Sequence, residues 1–268
     1  MIYFLGDVHG QIDHIVRTFD PLASIRHDNC SLIFLGDIEA PRPFEELIRP
    51  LIDSGIGVWF IHGNNDTTYS RNWENLQDSQ HRNLHGRVET IEGIKVAGLG
   101  GVFRGEIWYP GMKCDEATRQ FKSPASRNFQ SYADYVAQSA NGRFKTKTLL
   151  EHKLLKHKST IFPDVYESLM LQKADILVTH EAPDGHPNGF TELGKLAIKL
   201  GITHYFHGHH HDSLDYSDWN AKTGIALFGV GFRGITNMKG EVIIAGESDD
   251  EHRRDKHEQY KSVHPTTK

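Results

Sequence analysis

Cysteine is nearly absent: Cys30 and Cys114 are the only two in 268 residues. Two unpatterned thiols exclude a disulfide framework, and a reducing compartment, the cytoplasm, is the expected location. Long apolar runs are missing as well, which excludes a helical membrane span. The chain opens on Met1-Ile2-Tyr3-Phe4-Leu5, a first strand without the basic start or small-residue cleavage site of a signal peptide. There is no excess of positive charge either, since a net charge of -5 and a pI of 6.4 argue against a bulk nucleic-acid binder. Histidine, by contrast, is abundant, at 18 residues. Many of these, such as His81, His85, His252 and His257, lie in polar stretches and read as surface groups.

The length suits one large α/β domain with a substantial core. Ile2 to Leu5 is a short apolar run that stops at Gly6-Asp7-Val8-His9-Gly10, and Ile12, Ile15, Val16 and Phe19 then repeat at helical spacing. The unit recurs. Leu32 to Leu35 runs into Gly36-Asp37, followed by a helical face of Phe44, Leu47, Ile48, Leu51 and Ile52 that Pro50 is expected to kink. Val58 to Ile61 leads into His62-Gly63-Asn64-Asn65-Asp66, and Arg87 to Ile91 with Ile94 to Leu99 form two strands around Glu92-Gly93. Pro163 opens a helix with Val165, Leu169 and Ala174 inward, and the strand Asp175 to Thr179 ends at His180. A further helix carries Leu193, Leu196, Ala197 and Leu200. The next strand ends in T-H-Y-F-H-G-H-H-H-D, from Thr203 to Asp212. In extended backbone His209 and His211 project from one face and serve two adjacent ions.

Ile225 to Val230 and Glu241 to Ala245 are expected to close the sheet as a hairpin around Lys239-Gly240. From Glu247 the chain is charged and poor in apolar residues, so the expectation is one domain over 1–246 and a disordered tail over 247–268. An insert of changed character occupies about 104–160. Residues 111–160 carry ten Lys and Arg against four acids, a net +6 inside a chain of net -5. It reads either as a solvated helical cap or as a lid that attracts an anionic substrate.

The strand tips together offer Asp7, His9, Asp37, Asn64, His180, His209 and His211, a set of oxygen and imidazole donors without thiolate. Such donors suit manganese, iron or zinc, manganese foremost. Seven exceed the needs of one ion, whereas two ions sharing a carboxylate use them all, with a metal-bridged hydroxide as the natural nucleophile.

The order Asp-x-His, Gly-Asp, Gly-Asn-x-Asp, His, Gly-His-x-His resembles the calcineurin-like metallophosphoesterases, from Gly6 to His211. The resemblance implies a four-layer α/β/β/α sandwich that hydrolyses phosphate esters. It places one ion on Asp7, His9, Asp37 and His211, and the other on Asp37, Asn64, His180 and His209, with Asp37 bridging. Two departures stand out. The second block continues Asp37-Ile38-Glu39-Ala40-Pro41-Arg42 without the family's common Asp, and Asn65 stands where the third block usually carries His. That His is the family's proposed acid or phosphate contact; an amide donates a hydrogen bond but delivers no proton. Asn65 is therefore expected to orient a phosphoryl oxygen, and the substrate to be a phosphorylated small molecule or nucleotide with a good leaving group, attacked as a diester.

His62, His186 and His210 are spare imidazoles, the last two the candidates to replace the missing acid. Arg104 is expected to bind phosphate or else to pair with Glu106. The basic insert leaves nucleic acid open as a substrate. A protein phosphatase, a dinucleoside polyphosphate hydrolase and a non-catalytic scaffold on the same fold are the alternatives.

Overall fold

The computed structural model describes residues 1–19, 30–110, 126–140 and 146–248. Twelve strands are present among them: β1 (Ile2–Leu5), β2 (Ser31–Phe34), β3 (Gly57–Phe60), β4 (Arg87–Ile91), β5 (Ile94–Leu99), β6 (Trp108–Tyr109), β7 (Ser126–Arg127), β8 (Ile176–Thr179), β9 (His204–His207), β10 (Ala226–Gly229), β11 (Ile235–Asn237) and β12 (Val242–Ile244). One sheet runs β12-β11-β1-β2-β3 and the other β10-β9-β8-β5-β4, with β6 and β7 pairing apart. The runs β1-β2-β3 and β5-β8-β9-β10 are parallel, so each brings its polar tips to one end.

Alternation along the strands builds the layers. Ile2, Phe4, Ile33, Ile176, Val178 and Phe206 share the core between the two sheets. Their neighbours Tyr3, Leu5, Leu32 and Phe34 face the opposite way, onto the helices Asp13–Thr18, Phe44–Leu47 and Arg49–Asp53. On the far side, Leu177 and Tyr205 pack with residues of the helices Pro163–Met170 and Thr191–Leu200. Phe4 and Phe206 stack face to face across the inter-sheet core, with centroids 3.6 Å apart. The arrangement is helix layer, sheet, sheet, helix layer. Strands buried on both faces are nearly continuous in apolar residues, which is why they stand out in the sequence.

Three expectations need correction. Pro50 divides its helical run into Phe44–Leu47 and Arg49–Asp53, a break rather than a bend, because a proline is at home only in a first turn. The hairpin around Lys239-Gly240 is formed by β11 and β12 at the edge of the first sheet, while Ala226–Gly229 joins the second sheet beside β9. The described part of the insert is more than a solvated cap, although the helix Lys147–His157 is exposed or half-buried as far as Lys156. Its residues Ile107, Trp108, Phe129 and Tyr135 are buried in the outer core of the second sheet. Lys113, Arg119, Lys122, Arg143, Lys145 and Cys114 lie outside the described residues, as does the tail beyond 248. Glu247 belongs to the body of the fold: its N–H donates to Phe232 O at 2.9 Å and its carboxylate accepts from Arg233.

Candidate metal centre

Five loops meet beyond the carboxyl ends of the strands, held together by backbone groups. His9 N and Gly10 N donate to Asp37 O and Ile38 O, at 3.0 and 2.8 Å, joining the loops after β1 and β2. Asp66 joins the loops after β2 and β3, accepting from Glu39 N at 2.6 Å and Gly63 N at 2.8 Å. The second sheet is tied in by His209 N, which donates to Asp7 Oδ1 at 3.1 Å. Gly208 makes that approach feasible, since a Cβ there would stand 2.6 Å from Asp7 Oδ1.

Seven candidate ligands converge at this meeting point. Ligand atoms of Asp7, His9 and His211 lie within 4.8 Å of one another, and so do those of Asp37, His180 and His209. Asn64 completes the second group, with its Oδ1 3.1 Å from His180 Nε2. His9, Asp37, His209 and His211 all adopt left-handed backbone, with φ between 44° and 69°. The extended geometry expected for His209 and His211 is therefore replaced by a tight turn, which sends the two rings into different groups. Holding non-glycine residues in this region costs free energy that the surrounding hydrogen bonds must offset.

The tautomers are set for cation binding. His180 Nδ1 donates to Leu35 O at 2.8 Å, which aims Nε2 at Asn64 Oδ1 and, at 3.4 Å, Asp37 Oδ1, two acceptors that favour a proton on Nε2 until a cation takes its place. His9 Nδ1 is held by Glu39, so its Nε2 faces His211 Nε2 at 3.3 Å. Two imidazole nitrogens aimed at each other, with Asp7 Oδ2 buried, lacking a hydrogen bond and 3.1 Å from His211, describe a cradle for a cation. A ligating histidine anchored through its second nitrogen is the usual metal-site construction. Burial works against a charged His180, yet Asp37 and Asp7 outweigh it and raise its pKa to about 10. Burial likewise disfavours a charged Asp37, but His180 and the Asn65 N–H hold its carboxyl below the usual range. The protein's own cation thus stands where divalent ions would do the same work.

Asn65 is engaged within the centre itself. Its N–H and its Nδ2 donate to the two oxygens of Asp37, at 2.7 and 2.8 Å, so the amide fixes a carboxylate of the centre. His186 is buried, accepts Asn188 N–H on Nδ1 at 3.0 Å and directs Nε2 to Asp212 Oδ2 at 3.5 Å. It stacks on His210, centroids 3.9 Å apart, and His210 in turn lies 4.8 Å from the His209 ring. His62 is buried against Trp73 and His85, and burial holds its pKa well below the ordinary value. His85, expected at the surface, accepts Gly100 N–H at 3.0 Å. Arg104 points its Nη1 at Lys156 O, Ser159 O and Thr160 Oγ1, at 3.1, 2.8 and 2.7 Å, and so clamps the end of the insert. Glu106, the alternative partner, pairs with Lys153 and His157 instead.

The sequence reading missed three neighbours of the centre. Glu39 orients His9; its place two residues after Asp37 was the available signal. Glu181 is buried, with ligand atoms of His209 and His210 within 4.8 Å of its carboxylate. Phe232 stacks on His211 at 4.9 Å beneath the Arg233 guanidinium, and no sequence spacing announces it.

Comparison with known families agrees with this geometry. The family described as calcineurin-like phosphoesterase matches residues 1–213, which include all seven candidate ligands. The chain belongs to the calcineurin-like phosphoesterases. It is a metal-dependent phosphoester hydrolase, and the Asp and His groups above could hold metal. A Haemophilus influenzae protein, named there only as uncharacterized, is 36% identical over 246 residues, 91% of this phosphoesterase and 96% of that chain. Among solved structures, TT1561 of Thermus thermophilus aligns with a TM-score of 0.45 at 14% identity, over 91% of this chain and 98% of that one. A 5'-nucleotidase precursor from the same organism aligns with a TM-score of 0.38 at 12% identity, over 97% of this chain and 58% of its own length. No helix among the described residues is long and apolar enough to cross a membrane.

Proposed function

We propose that this phosphoesterase is a dinuclear phosphodiesterase acting on a phosphorylated small molecule of nucleotide type. The observation that carries the reading is the pair of neighbouring donor groups, each with a histidine locked through one nitrogen and open on the other. Asp7, His9, Asp37 and His211 would hold one ion, and Asp37, Asn64, His180 and His209 the other, with manganese the expected metal. The bound ions supply Lewis acidity and an activated water at neutral pH. The protein's residues do the rest: Asn65 fixes Asp37, Glu39 fixes His9, and the Leu35 carbonyl fixes His180. Because Asn65 is neither an acid nor free of Asp37, departure rests on the leaving group's own acidity, which favours diesters with good leaving groups.

A second reading has His210 delivering the proton, and its stack on His186 beside His209 favours it. The deciding experiment strips the protein with a chelator, reloads it with manganese, counts ions per chain and compares bis-p-nitrophenyl phosphate with p-nitrophenyl phosphate. Two ions and a higher kcat/KM on the diester are expected. A single ion or a monoester preference overturns the proposal, and two ions without turnover indicates a scaffold.

A further inference from the structure

Between β6, β7 and the helices Pro163–Met170 and Thr191–Leu200, the described residues bound an open cavity of about 390 Å³ with Trp108, Tyr109, Tyr166, Arg127, Glu192 and Lys195 among its walls. That volume lies near the low end of the roughly 300–1,000 Å³ usual for small-molecule sites. Trp108 meets Tyr166 edge to face at 5.1 Å, and the Arg127 guanidinium lies 5.7 Å from the Trp108 ring. Both cations have a carboxylate of their own. Arg127 pairs with Glu167, and Lys195 with Glu192 at 2.9 Å. A cavity whose charges already cancel has little to offer a phosphate. Its aromatic walls and ready donors and acceptors suit a flat, neutral, hydrogen-bonding ring.

Two stretches of chain link this cavity to the catalytic end. The turn after β5 carries Arg104, whose carbonyl accepts Trp108 N–H at 2.9 Å, and so delivers β6 to the cavity wall. The loop after β8 begins at His180. Two residues on, Ala182 O accepts Phe190 N–H at 2.9 Å, and the Phe190 ring packs 5.6 Å from Tyr109. The Glu181 charge reaches the Tyr109 phenol and, after burial, is the second cause that raises its pKa.

We propose that the Trp108–Tyr109–Arg127 cavity is a nucleobase subsite, which holds the base of a nucleotide whose phosphoryl group lies at the metal centre. The assignment rests on the phosphodiesterase reading for its substrate and on the cavity for its specificity.

The test uses two diesters with the same leaving group, the p-nitrophenyl ester of thymidine 5′-monophosphate and methyl p-nitrophenyl phosphate, on the full chain loaded with manganese. Wild type is expected to favour the thymidine ester in kcat/KM, through a lower KM. Tyr109→Ala and Arg127→Ala are each expected to cut that preference about tenfold, the size of one lost base stack. These half-buried or exposed positions are chosen because Trp108 is buried and its removal endangers folding. A preference unchanged in both variants overturns the subsite. Binding of thymidine, followed by saturation-transfer NMR without added metal, is read independently of turnover and is expected to weaken in Tyr109→Ala. If wild type cleaves neither diester, the phosphodiesterase reading fails by itself. The subsite then stands if thymidine binds and Tyr109→Ala weakens it, and falls if thymidine does not bind or binds the variant equally.

Discussion

Asp37 has the densest set of contacts at the centre: both carboxylate oxygens accept from Asn65, and His180 Nε2 stands 3.4 Å from Oδ1. Asp37→Asn keeps the shape and removes the charge, so metal content by elemental analysis should fall and turnover should drop at least a hundredfold. A variant with two ions and normal turnover would rule out the bridging role. Asn65 poses a different question, one of proton supply. Across aryl phosphodiesters of graded leaving-group pKa, the rate should fall steeply as that pKa rises, because no acid assists departure. If the dependence is flat and steepens only in His210→Gln, the imidazole stacked on His186 carries the proton instead. Arg104 is a third case, where the residue type suggested phosphate but the structure gives Nη1 a cluster of intramolecular acceptors. Arg104→Met should lower stability by about 1.5–3 kcal/mol, the worth of hydrogen bonds to a charged group, measured by urea denaturation.

At the scale of elements, function sits in the turns after short strands. β1, β2, β3, β8 and β9 have four residues each, all buried in β1, β2 and β8, mostly so in β9 and alternately in β3, and their sequences differ little in kind. What distinguishes the loops is their backbone. Left-handed φ at His9, Asp37, His209 and His211 turns the side chains inward, and glycines let the loops touch. Gly208→Ala tests this directly. Its Cβ would lie 2.6 Å from Asp7 Oδ1 and 3.2 Å from Leu35 O, so the His-rich turn must retreat. A loss of about 1–3 kcal/mol in thermal unfolding, the usual cost of overpacking, should accompany weaker metal retention in a chelator titration. Unchanged retention would show that the turn does not need this close approach.

The whole molecule carries several histidines that its packing keeps neutral. His157 is buried against Tyr135, and burial lowers its pKa to about 4 although Glu106 pulls the other way. The unfolded chain binds a proton there near pH 6.5, whereas the folded chain does so only near pH 4, so stability falls as pH drops through that window. The dependence of unfolding free energy on pH should therefore lose about one proton of slope in His157→Gln. An identical slope would mean that His157 is not kept neutral by the fold. The seven candidate ligands and the strands that carry them were legible in the sequence, because buried parallel strands are apolar runs and polar blocks at their ends interrupt the pattern. That Pro50 disturbs its helix was legible too, since a missing backbone N–H is a local property, although the outcome is a break where a kink was expected. The partner of β12, the left-handed ligand turns, the Asn65 bond to Asp37, the clamp of Arg104 and the aromatic cavity were not. Each depends on which segments the two sheets bring side by side, and pairings between residues far apart in the chain leave no periodic trace in it. Local hydrophobic period and residue chemistry were enough to pick out the strands and the candidate donors, whereas the layering was implied by the family resemblance. The division of those donors into two groups was implied by the family resemblance, but what surrounds them came from the folded chain alone, because sheet packing and loop-to-loop hydrogen bonds fix distances that spacing along the chain does not.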